Sequence, residues 1–178
     1  LFRRKGRCWM GWITLSESEI RIAKFLGQAR RENAKRLGLV DQKVGDQNGL
    51  EADIDAMGAE LAFCKVMNVY PDLAIQNTLL KYDAITRLGQ TVDVKNTKYP
   101  EGRLCAILGK TKYPCDLYAL VVGKLPTYRV VGIITGDEFL QEKNIGELVP
   151  GSGKKSYLME QRDLFDCNLF DNPKKSTS

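Results

Sequence analysis

The sequence predicts a mixed α+β domain of the α/β class, in which a central mixed β-sheet of about five strands is flanked by helices. Two observations support this fold class. Apolar residues recur at helical spacing over residues 18–37 and 51–69. From about residue 79 the pattern changes to short segments rich in β-branched and aromatic residues, which are typical of strands.

The two predicted helices have recognisable ends. Ser16 or Ser18 can cap the first helix, with Glu19 near its first turn, and Gly38 ends it. Its basic side chains lie mostly away from the apolar stripe, which fits either a solvated face or a contact with a DNA backbone. Pro71 follows the second helix and prevents it from continuing.

The predicted strands follow a helical first third of the chain. A tight turn at 87–89 joins the first two of them as a hairpin. Two later segments are almost continuously apolar, so we expect them to be buried on both faces. A short helix is expected from Gly136. The strand candidates are 82–86, 90–96, 103–108, 117–122, 128–134 and a final short strand at 156–159.

The length of 178 residues predicts one domain with its own core. We expect a single domain over 16–170, an N-terminal extension over 1–15 and a disordered tail over 171–178. The tract before Met10 resembles translated leader sequence, and Met10 can be the natural start. No apolar run approaches the roughly 18 residues of a membrane span. Five cysteines without CxxC spacing indicate a reduced, cytoplasmic protein.

Histidine is absent from the chain. Its absence excludes Ser-His-Asp and Cys-His catalysis and zinc sites that use imidazole. Hydrolytic chemistry would then depend on carboxylates, Lys, Tyr, Ser or Cys, and carboxylates with a hard cation such as Mg²⁺ are the obvious choice. The first 40 residues hold ten Lys and Arg against three Asp and Glu, a basic segment that can grip nucleic acid or aid solubility.

Asp93 and Lys95 lie in an apolar strand and are separated by one residue. Because side chains alternate along a strand, Val92 and Val94 face the core while Asp93 and Lys95 share the other face. An acid and a base placed in this way can form an ion pair. They can also hold a metal ion and a nucleophilic water.

The hairpin brings Asp83 across from Asp93, near one end of the sheet. Two carboxylates at one point repel each other unless a cation joins them. Asp83, Asp93 and the backbone carbonyl of Val94 would supply the oxygen ligands that Mg²⁺ prefers, and Lys95 could position the attacking water. Glu60, from a helix segment of small residues, could supply a further ligand. The alternative is a surface ion pair beside two unrelated acids.

The order of Glu60 on a helix, then Asp83, then Asp93-Val94-Lys95 resembles the PD-(D/E)xK nuclease superfamily. The resemblance covers about residues 50–160 and is closest to small phage-encoded members, with further similar segments at 58–62, 115–118 and 128–133. It implies a restriction endonuclease-like core and a Mg²⁺- or Mn²⁺-dependent phosphodiesterase, a deoxyribonuclease of endonuclease type. It also implies that Glu60, Asp83 and Asp93 are metal-site residues and that Lys95 is the catalytic lysine.

Two features depart from the superfamily pattern. Tyr82 precedes Asp83 where the motif name has proline, and residues 109–116 are too short for the usual crossover helix and contain Pro114. Two alternatives therefore stay open. One is a catalytically weak or inactive nucleic-acid-binding module on a nuclease-like fold, and the other is a phage protein-interaction factor.

Basic residues after the Asp-x-Lys strand are the predicted contacts to DNA phosphates. A solvated loop is the alternative for them. The expected partner is DNA, with no membrane association, and a homodimer is left open. A phage-encoded protein would act in the cytoplasm of its host cell. The predicted DNA contacts are Lys98, Arg103, Lys110 and Lys112.

Overall fold

The computed structural model describes residues 11–38, 49–75, 82–108 and 114–167. The expected tail at 171–178, the segment before Met10, and both Lys110 and Lys112 lie outside these residues. Of the helices in the described ranges, none has the length and apolarity needed to cross a membrane.

Two long helices lie in the first half of the chain, α1 (Glu17–Arg36) and α2 (Gly49–Met67). Ser16 caps α1, because its hydroxyl accepts a hydrogen bond from the Glu19 amide and the Glu19 carboxylate accepts one from the Ser16 amide. Gly38, just past the end of α1, has a φ of 67°. Both predicted helices are confirmed, with their ends shifted by about two residues.

The eight strands in the described ranges form two sheets. The main sheet has five strands in the order β1-β6-β5-β3-β2, and the smaller one has three in the order β4-β8-β7. The mixed five-stranded sheet is therefore confirmed. The strands are β1 (Ile13–Thr14), β2 (Ala84–Ile85), β3 (Thr91–Thr97), β4 (Leu104–Ile107), β5 (Leu117–Lys124), β6 (Thr127–Thr135), β7 (Ile145–Glu147) and β8 (Lys155–Met159).

The edge strand β1 comes from the segment expected to be an extension. Ile13 and Thr14 pair with Tyr128 and Thr127 of β6, and the following Leu15 is buried. Part of the 1–15 segment therefore belongs to the main sheet. The two residues of β1 are too few to show strand periodicity in the sequence.

The core lies between α2 and the main sheet. α2 packs against β3, β5 and β6, and α1 packs on α2. The segments expected to be buried on both faces are the central strands β5 and β6, in which most side chains are inaccessible. Leu117, Leu120 and Ile133 are fully buried there. This arrangement makes the centre of the sheet the most rigid support available to a site.

The connection between β3 and β5 determines the topology. These two strands are parallel, so the chain must leave the sheet after β3 and return before β5. The described part of this crossover holds β4, which pairs with β8 in the smaller sheet. A strand thus stands in the described part of the connection where the nuclease pattern has a helix, and residues 109–113 lie outside the described ranges.

The smaller sheet is joined to the main sheet through a short helix, α3 (Gly136–Phe139), where a helix start was predicted. The Phe139 ring lies 5.1 Å from the ring of Tyr118 in β5 and 6.2 Å from that of Tyr157 in β8, measured between centroids. Tilted aromatic pairs at these distances are favourable. They connect the two sheets behind the start of β5.

Candidate active site

Asp83 lies across from Asp93 at the start of the β2–β3 hairpin. Ala84 is paired with Val92, and the Asp83 amide donates to the Val92 carbonyl at 2.8 Å, so continuing this register sets Asp83 opposite Asp93. The Val94 amide donates to Oδ2 of Asp83 at 2.7 Å. The Asp83 carboxylate is therefore held at the sheet edge by the backbone of the strand that carries Asp93.

Asp93 and Lys95 occupy the same face of β3, as strand alternation predicts. Val92 and Val94, which alternate with them along the strand, are buried. Lys95 Nζ lies 2.7 Å from Asp93 Oδ1, and their side chains keep 35% and 20% of their exposure. The ion pair expected as one alternative is thus present. Both side chains are partly exposed, so a ligand that arrives from solvent can separate them.

Glu60 reaches the site from the middle of α2. The residue is only 7% exposed, so its side chain does not face bulk solvent. Its Oε2 accepts a hydrogen bond from Arg30 Nη1 at 2.8 Å. The small residues around Glu60 do permit a close approach, since the hydroxyl of Tyr128 lies where a side chain on Gly58 would begin.

One cleft of about 470 Å³ connects these side chains. Its walls are α2 and β3, and a volume of this size is common for ligand sites. Six residues that the sequence singled out therefore border one space, although they come from three separate parts of the chain. The predicted site residues that line the cleft are Glu60, Asp83, Asp93, Val94, Lys95 and Lys98.

The carboxylates in this cleft repel one another. Burial raises the pKa of Asp83 well above its usual value, and the charges of Glu60 and Asp93 raise it further, against Lys95 and the Val94 amide. Burial also raises the pKa of Glu60, which Arg30 opposes. Groups that share a buried space in this way are stabilised by a bound cation.

Lys95 remains a cation in this setting. Burial lowers the pKa of Lys95, but the neighbouring carboxylates of Asp93 and Asp83 outweigh it, so the net pKa is raised above the usual value. The ammonium group therefore stays protonated at neutral pH. It can donate hydrogen bonds and offset negative charge, whereas accepting a proton is disfavoured.

The chemistry of the donors fits a hard divalent cation. Asp83, Asp93 and Glu60 offer carboxylate oxygens, which Mg²⁺ and Mn²⁺ prefer. Among the described residues, no group of three or more Cys, Asp and Glu side chains is already arranged to hold a metal ion. Arg30 and Lys95 instead neutralise Glu60 and Asp93.

The predicted DNA contacts differ in where they lie. Lys98 is exposed and borders the cleft, with Nζ 5.5 Å from the ring centroid of Tyr99. Arg103 instead reaches Glu160 at 3.6 Å and the Leu148 carbonyl at 3.4 Å, beside the smaller sheet. Of the two, only Lys98 stands next to the carboxylates.

Four charged residues of the site were not singled out from the sequence: Arg30, Glu51, Asp55 and Lys124. Arg30 was counted only among the basic residues of α1. Asp55 and Lys124 line the cleft, and Asp55 Oδ1 accepts a hydrogen bond from the Leu125 amide at 2.9 Å. The available signal for Arg30 was Gly27 one turn before it, since a glycine inside a helix often marks a close helix contact.

A scan against protein-family models finds none that matches this chain. The feature that bears on function is therefore the cleft itself. It combines buried carboxylates that repel one another, a fixed ammonium group and access from solvent. Such a combination can bind a cation and a phosphate together.

Proposed function

We propose that this protein is a divalent-metal-dependent nuclease that hydrolyses DNA phosphodiester bonds, with a PD-(D/E)xK-type site on a restriction endonuclease-like core. One observation carries the proposal. The carboxylates of Glu60, Asp83 and Asp93 border the same cleft as Lys95, and burial together with the charge of Asp93 raises the pKa of both Glu60 and Asp83. An endonuclease of phage origin, acting in the cytoplasm of the host, is the finer form of the proposal.

The fold supports this proposal in its order of elements. A helix carrying Glu60 precedes a hairpin carrying Asp83 and Asp93, and β5 then lies parallel to β3. This order is the one implied by the resemblance. The crossover through β4 departs from it, but β4 lies in the other sheet and leaves the hairpin free to form the site.

Asp83, Asp93, Glu60 and the backbone carbonyl of Val94 would hold Mg²⁺ or Mn²⁺. When bound, such an ion polarises a phosphate and lowers the pKa of a coordinated water. The cation would also offset the repulsion among the three carboxylates, which is the free-energy source for its binding at this position.

The chain's own residues supply the rest of the chemistry. Because Lys95 stays protonated, it donates hydrogen bonds to a water or to a phosphate oxygen and stabilises the charge that develops there. The Val94 amide fixes the orientation of Asp83. Lys98 and Lys124, both exposed at the cleft, would attract the flanking phosphates. The same role stays a prediction for Lys110 and Lys112, which lie outside the described residues.

Cleavage of supercoiled plasmid and of branched DNA with Mg²⁺ or Mn²⁺ tests the proposal. We expect Lys95→Ala and Asp93→Asn each to reduce cleavage by about 10²-fold or more, because the first removes the cation that would stabilise charge on the phosphate and the second removes a carboxylate that would hold the metal ion. Lys143→Ala and Asp137→Asn are matched controls, since both residues are exposed and do not line the cleft.

The expected result is nicked or linear plasmid with wild-type protein and with both controls, and intact plasmid with the two site variants. The proposal fails if the wild-type protein binds neither Mg²⁺ nor Mn²⁺ and cuts none of these DNAs. It also fails if Lys95→Ala cuts as fast as Lys143→Ala, because the activity would then come from elsewhere or from a contaminant.

A catalytically weak or inactive nucleic-acid-binding module is the second candidate. The ion pairs of Asp93 with Lys95 and of Glu60 with Arg30 favour it, because these side chains already satisfy each other. This candidate predicts salt-dependent DNA binding that survives Lys95→Ala and Asp93→Asn. A protein-interaction factor does not require Asp83, Asp93 and Lys95 to lie together, yet all three border one cleft.

A further inference from the structure

Arg30 makes three hydrogen bonds from α1 toward the cleft. Nη1 donates to Glu60 Oε2 at 2.8 Å, Nη2 donates to the Asp72 carbonyl at 2.7 Å, and Nε donates to the Ala74 carbonyl at 3.2 Å. The side chain is 26% exposed, so most of it is shielded from water. Only the planar guanidinium fork can contact three acceptors in fixed directions at once.

A path of hydrogen bonds leads from Arg30 to Asp83. The Asp72 carbonyl accepts from Arg30, and the Asp72 amide donates to the Asp83 carbonyl at 3.2 Å. Pro71 and Ala84 form an antiparallel bridge beside this contact. The Asp83 amide and carboxylate are then bonded to β3, through Val92 and Val94.

The geometry also leaves Glu60 able to bind a ligand. Arg30 bonds Oε2 of Glu60, and within the described residues no hydrogen bond engages Oε1. Because the two backbone carbonyls hold the guanidinium independently of Glu60, Arg30 is a fixed support. It orients the Glu60 carboxylate without needing to leave when a ligand arrives.

We propose that Arg30 is a positioning residue that sets both Glu60 and Asp83 in the cleft, the first through its side chain and the second through the 71–72 backbone. The inference that this arrangement serves metal binding rests on the proposed function. The inference that Arg30 orders the Asp83 edge of the sheet does not, and the two can be tested separately.

The chain offers two matched controls. Arg31 joins the same two helices through Asp53, with Nη1 2.7 Å from Oδ2, but Asp53 does not line the cleft. Asn33 donates to the Ile75 carbonyl at 3.3 Å and so holds the same segment without touching Glu60. Arg31→Ala therefore tests helix pairing alone, and Asn33→Ala tests anchoring of the segment alone.

Amide hydrogen exchange in the metal-free protein tests the order of the Asp83 edge. In Arg30→Met we expect the Val94 amide, which bonds Asp83, to exchange about tenfold faster or more, by analogy with other losses of local structure. Arg31→Ala should leave it within about twofold. Equal Val94 exchange in Arg30→Met and Arg31→Ala would overturn the proposal.

Titration of the protein with Mn²⁺ alone, followed by calorimetry, tests whether Arg30 supports metal binding. Residues that orient ligands typically change metal affinity by 10–100-fold, so we expect a loss of about that size in Arg30→Met and less than about threefold in the two controls. Arg30→Lys should restore part of the affinity, because an ammonium reaches Glu60, but not the Val94 protection, because it cannot also span two carbonyls.

The outcomes separate the two proposals. If wild-type protein binds no Mn²⁺ but Val94 exchange rises in Arg30→Met, the metal-dependent function fails and the positioning of Asp83 stands. If wild-type protein binds Mn²⁺ and Arg30→Met binds it equally well, positioning for the metal is refuted. If Arg30→Met does not fold by circular dichroism, Arg30→Lys carries both comparisons.

Discussion

Asp83 is a residue whose charge opposes folding of the metal-free protein. Burial and the carboxylates of Glu60 and Asp93 both raise its pKa, which means that the ionised form is less stable in the folded state than in water. The Val94 amide and Lys95 compensate only in part. Under the proposed function, a bound cation would offset this loss of stability.

Asp83→Asn should therefore stabilise the metal-free protein at pH 7. The asparagine oxygen can still accept the hydrogen bond from Val94, while the repulsion with Glu60 and Asp93 is removed. We expect a melting temperature about 2–4 °C higher, which corresponds to roughly 1 kcal/mol for a chain of this size. Thermal unfolding followed by circular dichroism in the presence of EDTA measures it.

Addition of Mn²⁺ should make the melting temperature of wild-type protein higher than that of Asp83→Asn. A ligand that binds only the folded state raises its stability, so wild-type protein should gain melting temperature while Asp83→Asn gains little. Asp137→Asn, an exposed carboxylate outside the cleft, should behave like wild type under both conditions. A lower melting temperature for metal-free Asp83→Asn would show that the Asp83 charge is well compensated.

At the scale of elements, the contact between α1 and α2 decides where Arg30 meets Glu60. Gly27 is buried, and a Cβ there would lie 2.8 Å from the Ile54 Cα and 3.0 Å from the Asp53 carbonyl oxygen. The helices approach this closely because glycine has no side chain. Arg30 is one turn further along, so the close approach brings it within reach of α2.

Gly27→Ala should destabilise the protein although alanine is the better helix former. The propensity gain of about 1 kcal/mol favours alanine, but the new methyl meets the backbone of α2 and the helices must separate. We expect a net loss of about 1–3 kcal/mol, typical of overpacking. Urea unfolding measures the free energy.

The matched control for this change is Gly11→Ala, whose Cβ would meet nothing within 4 Å. Its stability should stay within about 0.5 kcal/mol of wild type. If Gly27→Ala is as stable as Gly11→Ala, the helix contact is softer than its geometry indicates. The Arg30 contacts would then have to be fixed by the 72–74 carbonyls alone.

At the scale of the whole molecule, the parallel pair β3–β5 supports the site. Lys95 is paired with Leu120 and Asp93 with Tyr118, so the strand that carries both charged residues lies directly beside the most buried strand. Asp116 further connects the two strands at the start of this pair, because its carboxylate accepts hydrogen bonds from the amide and hydroxyl of Thr91 at 2.8 Å.

Leu120→Ala should therefore lower the stability of the whole domain. Leu120 is fully buried in the central strand, and removing such a side chain typically destabilises by about 2–5 kcal/mol through lost burial and a residual cavity. Leu88→Ala, in the exposed hairpin turn, is the matched control and should change stability by about 0.5 kcal/mol or less. A loss in Leu120→Ala no larger than in Leu88→Ala would contradict the central role of β5.

The sequence by itself determined the local features of this protein. Helical and strand periodicities fixed α1, α2 and the two central strands, and strand alternation fixed the shared face of Asp93 and Lys95. The hairpin turn at 87–89 fixed the register that brings Asp83 opposite Asp93. These features depend on residues only a few positions apart, so their spacing can be read directly from the sequence.

Only the tertiary structure decided the contacts between distant segments. It assigned Ile13–Thr14 to the main sheet, β4 to the smaller sheet, Arg103 to Glu160, and Arg30 to Glu60. Each of these depends on how helices cross or on which sheet a short strand joins. Such choices are set by packing summed over the whole core, which the pattern of a single segment does not encode.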